Sequence, residues 1–389
     1  MRIGFVTGEY PPMQGGVGAF TRELALALIS QGHEIAVLTD QRVPSDNRNG
    51  INVSCRVASW NRASLFAVRQ WVRDNRLDMV NIQYEAAAFK MSQLIHFLPR
   101  LIGRVPVVTT FHDLLVPYLF PKAGSLRFTA LLTLARNSNG VIVTNLQDEQ
   151  RMKNSSGIKC LANIPIGSNI ASALPDDYDR NTCRAKLNAS PDTILVGYFG
   201  FMNATKGIDT LTEALAVGNG LNVRLLIVGG RTGSSDPTNV AYANEIDRLI
   251  EQRALQTRIQ WTGFVDDPQV SAALSACDII ALPYKDGVSL RRGTLMAALA
   301  HGCAIITTQP QVELPELKDH VNVLLVPANS PQYLAAGIRE LAENPALRTQ
   351  LQSNARELAA NFTWDRIATR TAEFYQQVIG QARSGSQKP

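Results

Sequence analysis

Short apolar runs alternate along the chain with stretches in which apolar residues recur every three or four positions. Ile3 to Thr7 reads as a strand. Past a Pro/Gly loop, Val17, Phe20, Leu24 and Leu28 mark one face of a helix that Gly32 closes. Ile35 to Thr39 gives the next strand, and Met79–Gln83, Val107–Phe111 and Val141–Thr144 continue the series. This alternation predicts a mostly parallel sheet covered on both faces. The pattern breaks between Pro165 and Asp179, where Pro, Gly, Ser and Asp cluster without periodicity and read as a linker. It then restarts with Ile194–Gly200, a helix from Gly207 to Ala216, and Leu225–Val228, Ile259–Thr262, Ile279–Leu282, Ala304–Thr307 and Val323–Val326. Ser330-Pro331 reads as a helix start, with Ser as N-cap and Pro in the first turn. The expected class is α/β, with two doubly wound Rossmann-like domains facing across a cleft. In such sheets ligands bind beyond the carboxyl ends of the strands.

Composition narrows the picture without naming a function. The 389 residues exceed one ordinary core, and 45% hydrophobic with 18% charged residues is globular usage. No uninterrupted apolar run is long enough to span a bilayer, and the N-terminal apolar stretch ends too early for a signal peptide. Five scattered cysteines without a C-x-x-C pair argue for reduced thiols and against a zinc site. These features predict a soluble cytoplasmic protein, or one at the inner face of the membrane. A net charge of +5 without a dense Lys/Arg block makes nucleic acid an unexpected partner. Leu94, Ile95, Phe97, Leu98, Leu101 and Ile102, set among Lys90, Arg100 and Arg104, are the segment that would make any peripheral membrane contact as an amphipathic helix, although such a helix is more often simply packed on the sheet.

Three loops carry the candidate chemistry. Tyr10 to Gly18 places Gly15 and Gly16 between a strand and a helix start, where exposed amides and the helix dipole favour an anion. It matches neither a Walker loop nor a dinucleotide fingerprint, and taken alone it is equally a tight turn. Gly200 to Gly207 puts Lys206 near a helix start, an unfavourable place for a cation unless an anionic ligand sits alongside. From Leu282 to Gly302, a strand gives way to a loop with Asp286, Ser289, Arg291 and Arg292, then to a small-residue helix opening at Gly293, Thr294 and Leu295. Guanidinium groups there suit phosphate oxygens; a surface salt bridge is the plainer alternative.

At these residues the chain resembles the family-four retaining glycosyltransferases. The Pro-Pro-x-x-Gly-Gly-Val-Gly loop, Gly32-His33-Glu34, Lys206-Gly207, Gly263-Phe264-Val265, the strand from Asp278 to Pro283, Pro315-Glu316 and Phe362-Thr363-Trp364 carry the likeness in the family's order. The resemblance implies the glycosyltransferase-B fold. It implies an acceptor domain at 1–168, a donor domain at 169–362, a helix at 363–382 crossing back to the first domain, and a flexible tail at 383–389. It implies retaining transfer from a nucleoside diphosphate sugar, with no metal and no bound cofactor. Gly16 and Lys206 would meet the diphosphate, Phe264 and Val265 the nucleobase, and His112 the transferred sugar.

Two departures stand out. Phe201 occupies the position of the family's phosphate-binding arginine, and Ser289 and Ala297 occupy the positions of its two glutamates. Arg291 and Arg292 are the expected replacements for the lost charge, Thr294 an added phosphate donor, and Asp286 the carboxylate nearest the missing first glutamate. The acceptor stays open among glycan, lipid-linked sugar and small molecule. A non-catalytic nucleotide-sugar binder and a sugar-nucleotide epimerase of the same fold are the alternatives.

Overall fold

The computed structural model describes residues 1–13, 15–44, 48–114, 126–218, 220–230 and 238–385. Gln14 of the glycine loop and residues 386–389 of the expected tail lie outside the described residues. The chain forms two compact units. One comprises Met1–Gly167 and the last helix, Trp364–Gly385; the other comprises Ser168–Thr363.

The first unit is built on seven strands: β1 (Arg2–Thr7), β2 (Glu34–Asp40), β3 (Ile51–Val57), β4 (Met79–Tyr84), β5 (Val107–Phe111), β6 (Gly140–Val143) and β7 (Leu161–Asn163). They lie in the order β3-β2-β1-β4-β5-β6-β7, with every pairing parallel. Strand order therefore reverses between β1 and β4. Continuous apolar sequence explains the centre of the sheet, where Ile3, Phe5, Val6, Val80 and Ile82 are fully buried. β3 and β7 went unpredicted because both are edge strands with mixed sequence and half-exposed faces.

Helix Gly16–Ser30 buries Val17, Phe20, Leu24 and Leu28 against one face of this sheet, as its spacing requires. The C-terminal helix covers the same face with Ile367, Ala368, Phe374, Tyr375 and Val378. Its Tyr375 hydroxyl, 2.5 Å away, accepts from Asn81 Nδ2 in the sheet interior. Gln31 Nε2 donates to the Asp365 carbonyl at 2.9 Å. The helix runs on to Gly385, so residues 383–385, expected in a flexible tail, continue it.

The second unit repeats the design with β8 (Ile194–Phe199), β9 (Val223–Val228), β10 (Ile259–Trp261), β11 (Ile279–Leu282), β12 (Ile305–Thr308) and β13 (Leu324–Val326). The order is β10-β9-β8-β11-β12-β13, again all parallel, reversing between β8 and β11. Asp278 anchors the entry to this sheet: its carboxylate accepts from Leu195 N and Arg184 Nη1 at 2.8 Å and from Arg180 Nη2 at 2.7 Å. Asp266 is a helix cap, accepting from Gln269 N at 3.0 Å. Ser330 occupies its expected cap position without a side-chain cap bond, and Pro331 opens that helix.

Candidate functional site

Both sheets present their chemistry where strand order reverses, the position at which doubly wound folds hold ligands. In the second unit β8 is followed by Gly200, whose φ of +117° excludes most side chains. A Cβ there would stand 2.7 Å from Lys206 Nζ and 2.8 Å from Thr294 Cγ2, so the bare glycine makes room for both. Lys206 ends a short turn, Ala204–Lys206, capped by Asn203 Oδ1 accepting from Thr205 N at 2.9 Å. Thr205 O in turn accepts from Lys285 N at 2.8 Å, tying this turn to the loop after β11.

Burial and the neighbouring Arg292 guanidinium push the Lys206 amine down to about 8. Among the described residues it has no carboxylate and no hydrogen-bond acceptor. Asp209, the acid in the following helix turn, is instead bound to Lys285 Nζ at 2.5 Å and accepts from the Tyr242 hydroxyl at 2.9 Å. A desolvated cation left without a counter-ion is unfavourable unless a ligand supplies the charge.

Arg292 stands at the N-cap of helix Gly293–Ala300 and makes no cap bond with its side chain. Its Nη2 donates to both oxygens of Asp286, at 2.5 Å to Oδ2, and its guanidinium lies 4.9 Å from the Tyr284 ring centroid. Its Nε is buried with no hydrogen-bond partner. The Tyr284 hydroxyl is 2.6 Å from Thr294 Oγ1, which fixes the first helical turn. The N–H groups of Gly293 and Thr294 have no acceptor among the described residues. Lys206, Arg292 and these two amides form a compact electropositive group.

The other expected donor residues divide. Arg291 is nearly buried, with Nη2 3.7 Å from Asp286 Oδ2, and its N–H donates to Ser289 Oγ at 3.4 Å. Asp286 is thus the counter-ion of the arginine pair. Leu295 is fully buried and its N–H donates to Arg292 O at 3.0 Å, leaving it no free polar group for a ligand. Phe264, 66% exposed, follows β10, with Val265 half-buried behind it. Phe201 and Phe264 both pack near Gly230 at the end of β9: a Cβ on that glycine would be 3.3 Å from the Phe201 ring and 3.9 Å from Phe264 Cβ. The residue at the position of the family's arginine therefore lies beside the same glycine as Phe264.

In the first unit Glu9, which sequence reasoning passed over, lies beneath the glycine loop. Its Oε1 accepts from Val17 N at 2.9 Å and from Gly18 N at 3.1 Å. A side chain at Gly15 would collide with this carboxylate, so glycine is required there for close approach. Gly16 is exposed, with open space at its Cβ position and an N–H that has no acceptor among the described residues. Of the first three amides in this helix, two are already occupied by an anion of the protein itself.

His112 follows β5, with its Nε2 2.8 Å from Gln83 Oε1 and its ring 4.7 Å from that of Phe20. Burial pushes its imidazole down to about 3, so it is neutral at physiological pH. With Nε2 donating to Gln83, Nδ1 is left as the acceptor. Glu85, just beyond β4, is pushed up to about 7, first by burial and then by the charges of Glu9 and Asp113. Nothing local in the sequence marks Glu9 or Glu85; only strand order brings them together.

Glu85 gives a stability prediction. Its pKa rises from an ordinary 4.5 to about 7 on folding, so the native state holds a proton that the unfolded chain has lost. Stability falls as pH rises across that window and stays lower above it. Glu85→Gln is expected to leave stability unchanged near pH 4 and to raise it at pH 8 by on the order of 1–2 kcal/mol. Urea unfolding at the two pH values measures this; equal effects at both would remove the carboxylate cluster as the cause.

Comparison with known proteins follows the same division of the chain. The model for Glycosyltransferase Family 4 matches residues 14–164, and that for Glycosyl transferases group 1 matches residues 179–358. Phosphatidyl-myo-inositol mannosyltransferase of Mycolicibacterium smegmatis is 24% identical, covering 98% of this chain and 95% of its own. Sucrose-phosphate synthase from Thermosynechococcus elongatus superimposes with a TM-score of 0.80 at 22% identity, covering 98% of this chain and 99% of its own. HepE of Anabaena, solved in complex with UDP, gives 0.76 at 20% identity, covering 97% and 100%.

Proposed function

We propose that this chain, which belongs to the family-four glycosyltransferases and has their glycosyltransferase-B fold, transfers a hexose from a nucleoside diphosphate sugar with retention of anomeric configuration. The observation that carries the donor reading is Lys206, a desolvated amine without a counter-ion, beside Arg292 and two open helix amides. A diphosphate has the charge, size and acceptor oxygens that this group lacks. The solved complex of HepE with UDP supports the same class of donor, and the mannosyltransferase of Mycolicibacterium smegmatis supports sugar transfer.

In the proposed reaction the bond between the sugar's anomeric carbon and the diphosphate oxygen breaks, and the acceptor oxygen bonds to that carbon on the same face. The acceptor's proton leaves with the diphosphate. Lys206, Arg292 and the amides of Gly293 and Thr294 stabilise the charge on the leaving group, with no covalent intermediate on an enzyme nucleophile. Asp286 holds Arg292 in place. Phe264 and Val265, with Phe201 nearby, are the proposed neighbours of the nucleobase. In the first unit, neutral His112 is proposed to hydrogen-bond the transferred sugar, and the open amide of Gly16 to meet an anionic oxygen of the donor.

Thermal unfolding against UDP, GDP and ADP and their sugar conjugates tests this reading. A bound nucleotide at a hundredfold over its Kd adds about 2.7 kcal/mol to stability. The expected result is a shift with one nucleotide family, together with release of that nucleotide from its sugar conjugate when acceptor is present. A shift without turnover on a panel of glycan, lipid and small-molecule acceptors would favour a binding protein. No shift with any nucleotide would overturn the donor site.

A further inference from the structure

Two neighbouring elements of the first unit carry an exposed surface that the transferase chemistry does not use. Helix Arg62–Asp74 buries Leu65, Val68, Trp71 and Val72 in the core. Its outward stripe, at i, i+4, i+7 and i+11, is Arg62, Phe66, Arg69 and Arg73, all exposed. The helix packs against Leu98–Ile102. In this segment Ile95, Leu98 and Ile102 are buried, so part of the apolar set from Leu94 to Ile102 packs into the core. What is exposed there is Phe97 at the end of a 3-10 turn, Arg100 and Leu101 on the short helix, and Arg104 just past Gly103.

The two sets of exposed residues share one composition, bulky apolar side chains set among arginines; the one acid beside them, Asp74 at the end of the first helix, lies 3.9 Å from Arg56 Nη1. Phe66 is 67% exposed, Phe97 46% and Leu101 38%. Arg62, Arg69, Arg73, Arg100 and Arg104 make no ion pair or side-chain hydrogen bond among the described residues. Elsewhere in this unit the basic groups of Arg2, Arg42 and Lys90 are paired with acids. An apolar patch of this kind facing water is unfavourable, and five unpaired cations beside it select against most protein cores. An anionic bilayer satisfies both features, since phosphate headgroups take the guanidinium charge while the aromatic and leucine side chains enter the acyl boundary. No helix among the described residues is long and apolar enough to cross a membrane.

We infer that the face formed by helix Arg62–Asp74 and the segment Gln93–Arg104 is a docking surface for an anionic lipid bilayer. It stands on surface chemistry alone and does not depend on the identity of the donor. The test is sedimentation of the full chain with phosphatidylcholine vesicles, with and without phosphatidylglycerol. Three proteins are compared: the parent, Phe66→Ser/Phe97→Ser, and Arg69→Gln/Arg73→Gln/Arg100→Gln. Far-UV circular dichroism checks that each is folded. The parent should bind only the anionic vesicles, more weakly in high salt, and each variant should bind at least about tenfold more weakly. Phe66→Trp should add emission that shifts to the blue with anionic vesicles. Failure of the parent to bind, or binding undiminished in both variants, would overturn the inference. So would loss in the arginine variant alone, which would mark a surface for a soluble polyanion such as nucleic acid or an acidic protein.

Discussion

Replacing Lys206 by methionine is expected to lower affinity for the nucleoside diphosphate about ten- to a hundredfold while leaving the unliganded protein as stable or more stable. The two effects share one cause. A charge-assisted hydrogen bond to phosphate contributes about 1.5–3 kcal/mol when ligand is present, and a partly desolvated amine without a partner is a burden when it is absent. Methionine keeps the stem and discards the charge. Calorimetric titration with the nucleotide identified by thermal shift, and urea unfolding without it, give the two numbers. A loss of stability with unchanged affinity would mean that Lys206 is structural.

The pH dependence gives the same experiment a second axis. Lys206 titrates at about 8 in the native protein against an ordinary 10.5. Below that window both states carry the proton and the desolvation penalty is fully present. Between the two values only the unfolded chain holds it, so this residue makes stability rise with pH. That rise should be missing in Lys206→Met. Binding of a diphosphate restores the native charge, so nucleotide binding above about pH 8 should take up a proton and weaken as pH increases.

The sequence revealed the sheets best where both faces are buried. β1, β8 and β11 are near-continuous apolar runs and need no partner to be recognised. β3 failed for the opposite reason: Asn52, Ser54 and Arg56 interrupt it, and its pairing comes entirely from β2. The three-residue β7 offers too short a pattern to carry any period. At the site, Lys206 stands out in the sequence because a cation near a helix N-terminus conflicts with the dipole, and Arg291 and Arg292 because guanidinium groups beside a helix start suit phosphate. Glu9 gave no such sign, because it reaches Val17 and Gly18 from outside the helix, across the length of the glycine loop. Asn81 and Tyr375, bonded in the sheet interior, are 294 positions apart. Their partnership belongs to topology and has no local trace.

Replacing Arg292 by alanine should weaken nucleotide binding at least tenfold and, unlike the lysine substitution, destabilise the unliganded protein. Its guanidinium answers the Asp286 carboxylate and covers the Tyr284 ring, so its loss leaves a carboxylate without its main partner and an aromatic face uncovered. Because both charged side chains keep some contact with solvent, the stability loss should be about 1–3 kcal/mol, less than for a fully buried pair. Asp286→Asn separates holding from touching. If Asp286 serves only to hold Arg292, the double substitution should cost little more than Arg292→Ala alone, in both stability and nucleotide affinity. If the carboxylate also meets sugar hydroxyls, Asp286→Asn should lower kcat further even where Arg292 is already gone, with the affinity for free nucleotide unchanged. The first outcome makes Asp286 a positioning residue. The second makes it the functional replacement for the glutamate whose position Ser289 now fills.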